Sequence, residues 1–468
     1  MIFHPHEFIK TGGSLVLSGD AYALAHPCLN TDIIKDFWHS FTYQSSTLRM
    51  TETETFVFSI GHAAPLPLGD CDYSIHIKED GICVCAENEK NLIRGFMTLL
   101  DCFRATDHGD ALAIELDCCQ IKDKPMIQNR MVHFCIFPET ELWELQRFVR
   151  LCGALKYTHI VLEFWGMLQY DSMQELSWSH AYTKQQIAPI IRETRDLGLE
   201  IIPMFNHWGH AAGSRVMHGK HVVLDQNPAL QSYFSEDGWC WDIRKPKVKS
   251  LLRQIRSELI ALCGSGDYFH IGCDEAYGFT FTKSNMDMIC DYINEIAEEL
   301  QQQGRRIIAW GDMFLYRYPQ YNPKNIYTCS APSAEAEQYM LARLHRDVIV
   351  ADWQYQAAEA PVETAAVFAK AGFDCLLCPW DSGRRQTNAA VATVKEYGLM
   401  GFLHTTWHTL SKGMPYVVLA AIGGFDGIDQ REAALLSTQS AALLRKVMPI
   451  GGDYKKAGWS KIQVSSLW

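Results

Sequence analysis

The stretch Asp267-Tyr268-Phe269-His270-Ile271-Gly272-Cys273-Asp274-Glu275-Ala276-Tyr277 carries the reading of the fold. Tyr268 to Ile271 is apolar and aromatic, one histidine included, and reads as a short buried strand. Gly272 ends it, and two carboxylates follow side by side. Inside a strand, neighbouring side chains point to opposite faces. At a strand's end, where the chain turns into a loop, both can reach one pocket. Two carboxyl groups in one pocket cannot ionise independently, so their pKa values separate. One can then donate a proton while the other stays anionic. Adjacent acids more often sit on a solvated loop, but here a buried strand runs directly into the pair.

Outward from this stretch, apolar runs alternate with amphipathic ones. Strands are predicted at Met131–Ile136, His159–Glu163, Glu200–Phe205, Tyr268–Ile271, Arg306–Trp310, Asn325–Thr328, Val348–Ala351, Asp374–Cys378 and Gly401–Thr405. Helices are predicted over 140–155, 183–197, 246–263 and 284–303. Such alternation implies parallel strands, and about eight units imply a closed (β/α)8 TIM barrel with its site at the C-terminal strand ends. The barrel and a C-terminal helical segment would fill residues 123–468. Residues 1–122 read as a small α+β domain. In it Tyr73–Lys78, the turn Glu79-Asp80-Gly81 and Ile82–Ala86 form a hairpin. Asn88 then caps a helix from Glu89 to about Phe103, with Leu92, Phe96, Leu99 and Leu100 on one face. The domain shows no chemistry and is expected to buttress the barrel.

Composition narrows the partners. The 468 residues carry a net charge of -12, which argues against nucleic acid or an anionic membrane surface. No apolar run is long enough to span a bilayer. The N-terminal residues lack a basic region followed by an apolar run, so no signal peptide is expected and the predicted location is cytoplasmic. The 16 cysteines read as reduced and mostly buried. Cys83-Val84-Cys85 lacks the second pair that zinc would need, and His207 and His210 lack a third ligand at suitable spacing, so no metal is expected. The Thr11-Gly12-Gly13-Ser14 cluster belongs to no strand-to-helix unit, which disfavours a nucleotide fold, and no cofactor is expected. Nothing in the pattern specifies an oligomeric state.

At the strand ends stand Arg130, then Glu163 and Trp165, then Asn206, His207 and His210, then Asp274 and Glu275. Later ends supply Trp310 and Asp312, Asp352, Trp353 and Tyr355, Trp380 and Asp381, and Trp407. Four tryptophans, each at the end of a different late strand, form an aromatic box suited to a pyranose ring. A carboxylic acid at its floor would protonate a bridging oxygen.

In motif order the chain resembles the family 20 glycoside hydrolases, the β-N-acetylhexosaminidases, over roughly residues 70–410. His270 to Glu275 is similar to that family's His-x-Gly-Gly-Asp-Glu motif, with Cys273 in place of the second glycine. Ile202-Pro203-Met204-Phe205-Asn206-His207-Trp208-Gly209-His210 resembles its Ile-Pro-Glu-Ile-Asp-Met-Pro-Gly-His run. Asp123-Lys124-Pro125 followed by Asn129-Arg130 resembles its Asp-x-Pro…Arg-Gly approach to the barrel, and the hairpin and helix of 73–103 resemble its N-terminal module.

The resemblance implies a substrate-assisted retaining hydrolase acting on an amino-sugar oligosaccharide or glycoconjugate, outside the usual two-carboxylate scheme. Glu275 would be the general acid and base, and Asp274 would hold the substrate's acetamido N–H. Arg130 would bind outer sugar hydroxyls; Trp310, Trp353 and Trp407 would wall the acetamido group and the ring; His210 would stand behind Glu275. Several positions depart from the family pattern. Asn206 replaces an Asp, which weakens the expected carboxylate link to His210. Glu163-Phe164-Trp165 replaces Thr-Asp-Asp. Trp407-His408-Thr409 lacks the Trp-x-Glu that holds distal hydroxyls. Trp380, beside Asp381, stands where a Tyr usually meets the acetamido carbonyl, a contact Tyr355 could supply. Two other readings stay open: a sugar-binding barrel without turnover, and a glycosidase for sugars without an acetamido group that pairs Glu275 with a carboxylate such as Glu163.

Overall fold

The computed structural model describes residues 2–42, 46–52, 58–61, 67–107, 112–211, 221–317, 326–381, 383–407, 410–427 and 433–447. The chain opens with an eight-stranded sheet. Its strands are β1 (Glu7–Leu17), β2 (Gly19–Ala25), β3 (Ser46–Met50), β4 (Phe58–Gly61), β5 (Tyr73–Lys78), β6 (Gly81–Ala86), β7 (Arg104–Asp107) and β8 (Leu112–Asp123). They run in the order β1-β8-β5-β6-β4-β2-β3, with β7 paired to β8. The β5–β6 hairpin forms as predicted, in the register Tyr73 with Ala86 to Lys78 with Gly81. Asn88 accepts the Asn91 N–H and so caps the helix Glu89–Asp101. That helix buries Leu92, Phe96, Leu99 and Leu100 against the sheet. The Gly12-Gly13 pair lies in a bulge of β1, where pairing with β8 skips from Lys10 to Ser14.

Eight parallel strands then close a barrel: β9 (Asn129–Cys135), β10 (His159–Glu163), β11 (Glu200–Met204), β12 (Tyr268–His270), β13 (Arg306–Trp310), β14 (Ile349–Trp353), β15 (Cys375–Cys378) and β16 (Gly401–His404). A helix follows each one, from Leu142–Ala154 after β9 to Leu410–Asp426 after β16, and Ala433–Lys446 comes last. Alternate residues face inward, as period-two strands require. Met131, Val161, Ile202, Met204, Ile308, Ile349, Ala351, Leu376 and Leu403 fill the interior as one cluster. The same alternation carries inward residues up each strand to the mouth, which is how Trp310 comes to lie in that cluster. Among the described residues no helix is long and apolar enough to cross a membrane.

Two sequence expectations are corrected. The segment Asn325–Thr328 is no barrel strand: Ile326 to Thr328 are irregular, and Asn325 lies outside the described residues. The Thr328 N–H instead bonds the side chain of Gln354, which follows β14. The first barrel strand begins at Asn129, two residues before the predicted start, so Arg130 is its second residue and lies at the N-terminal rim, away from the predicted site.

Candidate active site

Beyond β12 the chain keeps its place without strand geometry. The Ile271 carbonyl accepts the His207 N–H at 2.8 Å, and the Gly272 carbonyl accepts the Trp310 N–H at 2.9 Å. The loop between these anchors is left-handed at Gly272 (φ 67°), Cys273 (φ 76°) and Glu275 (φ 47°). Left-handed backbone at non-glycine residues costs about 1–3 kcal/mol each and persists only where its surroundings enforce it. Here they do: a side chain at Gly272 would run into Asn206, and one at Gly209 would run into the Asp274 carbonyl oxygen. The loops after β11 and β12 are thus pressed together, and His210, also left-handed (φ 57°), is delivered to both carboxylates.

His210 Nε2 lies 3.2 Å from Asp274 Oδ2 and 3.0 Å from Glu275 Oε2. The two acids are unequally placed: the Glu275 side chain is 28% exposed, the Asp274 side chain 9%. Tyr277 donates its hydroxyl to Glu275 Oε1 at 2.5 Å. Burial and this bond push the Tyr277 phenol above its ordinary pKa. Trp239 donates its indole N–H to the Glu275 carbonyl at 2.6 Å, and its ring lies 4.4 Å from His210 and 5.7 Å from Tyr277.

Below the pair is a third carboxyl group. Asp312 is buried; it accepts the Glu275 N–H at 3.1 Å and the Trp353 indole N–H at 3.1 Å. Burial, then the charge of Asp274, push its pKa up to about 8. At neutral pH this carboxyl is largely protonated, so the mouth is spared a third negative charge.

The aromatic residues join into one wall. Trp353 lies 5.2 Å from Tyr355, and Tyr355 lies 5.1 Å from Trp380. The Tyr355 hydroxyl accepts the Trp407 indole N–H at 2.9 Å and the Thr405 hydroxyl at 3.0 Å. Trp407 continues to Trp310, ring centres 6.2 Å apart. Asp381, next to Trp380, sits close enough to His404 to act on its charge. Asp352 points elsewhere, accepting hydrogen bonds from Thr364 and Gln354. His408 and Thr409 lie outside the described residues.

Of the residues expected from sequence, Asp274, Glu275, His210, Trp310, Trp353, Tyr355, Trp380 and Trp407 therefore gather at one mouth. Asn206 also lies there, but its amide donates to Glu163 Oε1 at 2.5 Å. Arg130 does not. It is the second residue of β9, at the N-terminal rim, and is buried. Its guanidinium donates to the carbonyls of Ile127, Gln128 and Lys156. The expectation that it contacts sugar hydroxyls is corrected accordingly. Sequence reasoning gave no role to Asp312 or Tyr277, although both stood in view at strand ends. Trp239 it missed altogether, because that residue sits in a long excursion after β11 without periodicity.

Residues 159–383 match the family described as "Glycosyl hydrolase family 20, catalytic domain". The chain is 20% identical over 377 residues to a Lacto-N-biosidase of Bifidobacterium bifidum, covering 75% of this chain and 30% of that protein. It thus spans under a third of that curated relative. In fold it is similar to a Flavobacterium johnsoniae chitobiase, with a TM-score of 0.70, 15% identity, and coverage of 98% of this chain and 73% of the other. It is likewise similar to a family 20 β-N-acetylhexosaminidase from Streptomyces coelicolor, with a TM-score of 0.69, 16% identity and 95% of each chain covered.

Proposed function

We propose that the chain, whose residues 159–383 match the catalytic domain of glycosyl hydrolase family 20, removes terminal non-reducing N-acetylhexosamine residues by substrate-assisted, retaining hydrolysis. The observation that carries this reading is the single His210 imidazole holding both Asp274 and Glu275 at the barrel mouth. In this scheme the substrate's acetamido oxygen attacks C1 and displaces the leaving group, giving a cyclic oxazolinium. Glu275, the more exposed acid, protonates the departing oxygen. It then takes a proton from the water that opens the ring. Asp274, the more buried one, accepts the acetamido N–H and balances positive charge that grows only in the transition state. A largely protonated Asp312 suits this division, because a third carboxylate charge would repel the negative charge that Asp274 must keep. The wall from Trp353 through Tyr355 to Trp407 offers apolar faces to a ring and a methyl group, with the Tyr355 hydroxyl as a polar contact.

The environment of Glu163 weighs against a protein nucleophile. Its Oε2 lies 3.1 Å from His133 Nε2 and accepts from Cys135 Sγ, while Oε1 accepts from Asn206. A panel of nitrophenyl glycosides tests the proposal. N-acetylglucosaminide and N-acetylgalactosaminide should turn over, the plain glucoside should not, and a thiazoline mimic of the cyclised intermediate should inhibit tightly. Equal rates on glucoside and N-acetylglucosaminide, or a fluorosugar adduct located on an Asp or Glu, would overturn it.

A further inference from the structure

We propose that His133, Cys135 and Glu163 form a site for a divalent cation of the zinc type, set in the barrel interior beneath the aromatic wall. The proposal stands independently of the hydrolytic reading. His133 and Cys135 are two apart on β9 and therefore share a face, the one on which Met131 joins the interior cluster. Parallel pairing sets Cys135 level with Glu163 on β10. All three side chains are buried.

Their donor atoms converge on one point. His133 Nε2 lies 3.1 Å from Glu163 Oε2, Cys135 Sγ lies 3.2 Å from the same oxygen, and Sγ lies 3.5 Å from Nε2. Metal bonds of about 2.0–2.3 Å in a tetrahedron place N, O and S ligands roughly 3.3–3.6 Å apart. The three residues therefore need to spread by only a few tenths of an ångström to take the ion. Asn206 holds the other oxygen of Glu163, the kind of outer hydrogen bond that fixes a ligating carboxylate.

Charge favours the same reading. An interior carboxylate is costly unless balanced. On binding, the Cys135 thiol gives its proton to solvent as sulfur bonds the metal. His133 ligates as the neutral imidazole through Nε2, with its proton on Nδ1. Two anions then balance the cation. Three protein ligands leave one position for water or a hydroxyl. The Trp407 ring lies 4.5 Å from His133, so the site fixes the floor against which the wall is built. Sequence spacing could not reveal it, because the ligands come from two strands.

The test is metal content of the full chain, purified without chelator and then dialysed against zinc. Roughly one equivalent should remain bound, with X-ray absorption showing one sulfur among lighter neighbours. Cobalt(II) added to chelator-treated protein should give a thiolate charge-transfer band. That band should vanish in Cys135→Ser and persist in the Cys83→Ser/Cys85→Ser double variant, which removes the other close thiol pair. Asn206→Ala should weaken binding about 10–100-fold. Circular dichroism checks that each variant is folded, and the absorption spectrum of the wild type needs no variant. Less than about a tenth of an equivalent after dialysis, a bound metal without a sulfur neighbour, or a band that survives in Cys135→Ser would overturn the proposal.

Discussion

Asp274 and Glu275 leave one strand and meet one imidazole, yet the Tyr277 hydroxyl bonds Glu275 and the deeper burial falls to Asp274. If Glu275 is the acid, Glu275→Gln should lower kcat about 10²–10⁴-fold on an unactivated disaccharide, and less on substrates with good leaving groups. Steady-state rates across a leaving-group series check this, and a uniform loss would remove Glu275 from the role. Asp312 supports a second prediction, on stability. Its folded pKa, about 8, lies above the value of an exposed carboxyl, so between about pH 4 and 8 the native state binds the extra proton. Its favourable contribution is complete below that window and is lost as pH rises through 8. The wild type should therefore lose stability in this range with a slope of up to about 1.4 kcal/mol per pH unit from this group. Asp312→Asn should flatten the slope, whatever its absolute stability. Denaturant melts at intervals from pH 5 to 9 read the slope directly, and identical slopes in the two proteins would reject the raised pKa. At this scale the sequence disclosed the acids and the tryptophans, because they stand just past apolar strands. It could not disclose that Asp312 is protonated, since that depends on burial and on Asp274, brought near from another strand.

The loops after β11 and β12 act as one element, pressed together at Gly209 and Gly272. Gly209→Ala tests how far the acids depend on that contact, because its methyl group would overlap the Asp274 carbonyl oxygen, which is backbone and cannot turn aside. The expected cost is about 1–3 kcal/mol in thermal unfolding, with a fall in kcat beyond what lost folded protein explains. Unchanged kcat per folded molecule would mean that the loop can yield. A contrasting variant is Asn88→Ala, which removes the cap of the helix Glu89–Asp101. It should cost about 0.5–2 kcal/mol and leave kcat intact. Legibility at this scale followed physics. Strands buried on both sides read as continuous apolar runs, so all eight barrel strands stood within two residues of their predicted bounds. Two readings failed for lack of direction and context. Arg130 was counted at the mouth, although Asn129 and Arg130 begin their strand and so lie at the opposite rim. Ile326-Tyr327-Thr328 has strand-like composition, but that alone does not confer a place in the ladder.

Across the whole molecule, the N-terminal sheet and the barrel share one buried polar centre. Lys156, at the end of the first barrel helix, donates to the Tyr73 hydroxyl at 2.9 Å and lies 3.4 Å from Asp123 Oδ2. Tyr73 donates to the same Asp123 oxygen at 2.6 Å, and the other Asp123 oxygen accepts the His6 N–H at 3.0 Å. The ammonium also sits 4.3 Å from the Phe3 ring and 4.0 Å from that of Phe425, so residues from both ends of the chain converge on it. Burial lowers the Lys156 pKa, with Asp123 acting against that shift. No motif announces this centre, because its members come from β5, β8 and a loop, and only the packed fold unites them. Removing one partner of a buried ion pair leaves the other charge uncompensated, at about 3–5 kcal/mol, whereas replacing both with apolar groups can be close to neutral. Lys156→Met alone should therefore destabilise by about that amount, and Lys156→Met/Asp123→Leu should recover much of it. Because the centre joins sheet to barrel, the loss should appear in both at once. Far-ultraviolet circular dichroism and fluorescence of the barrel tryptophans should shift together to a lower midpoint in Lys156→Met. Separate transitions, with the barrel signal unmoved, would show that the N-terminal sheet unfolds on its own and that this centre does not couple the two.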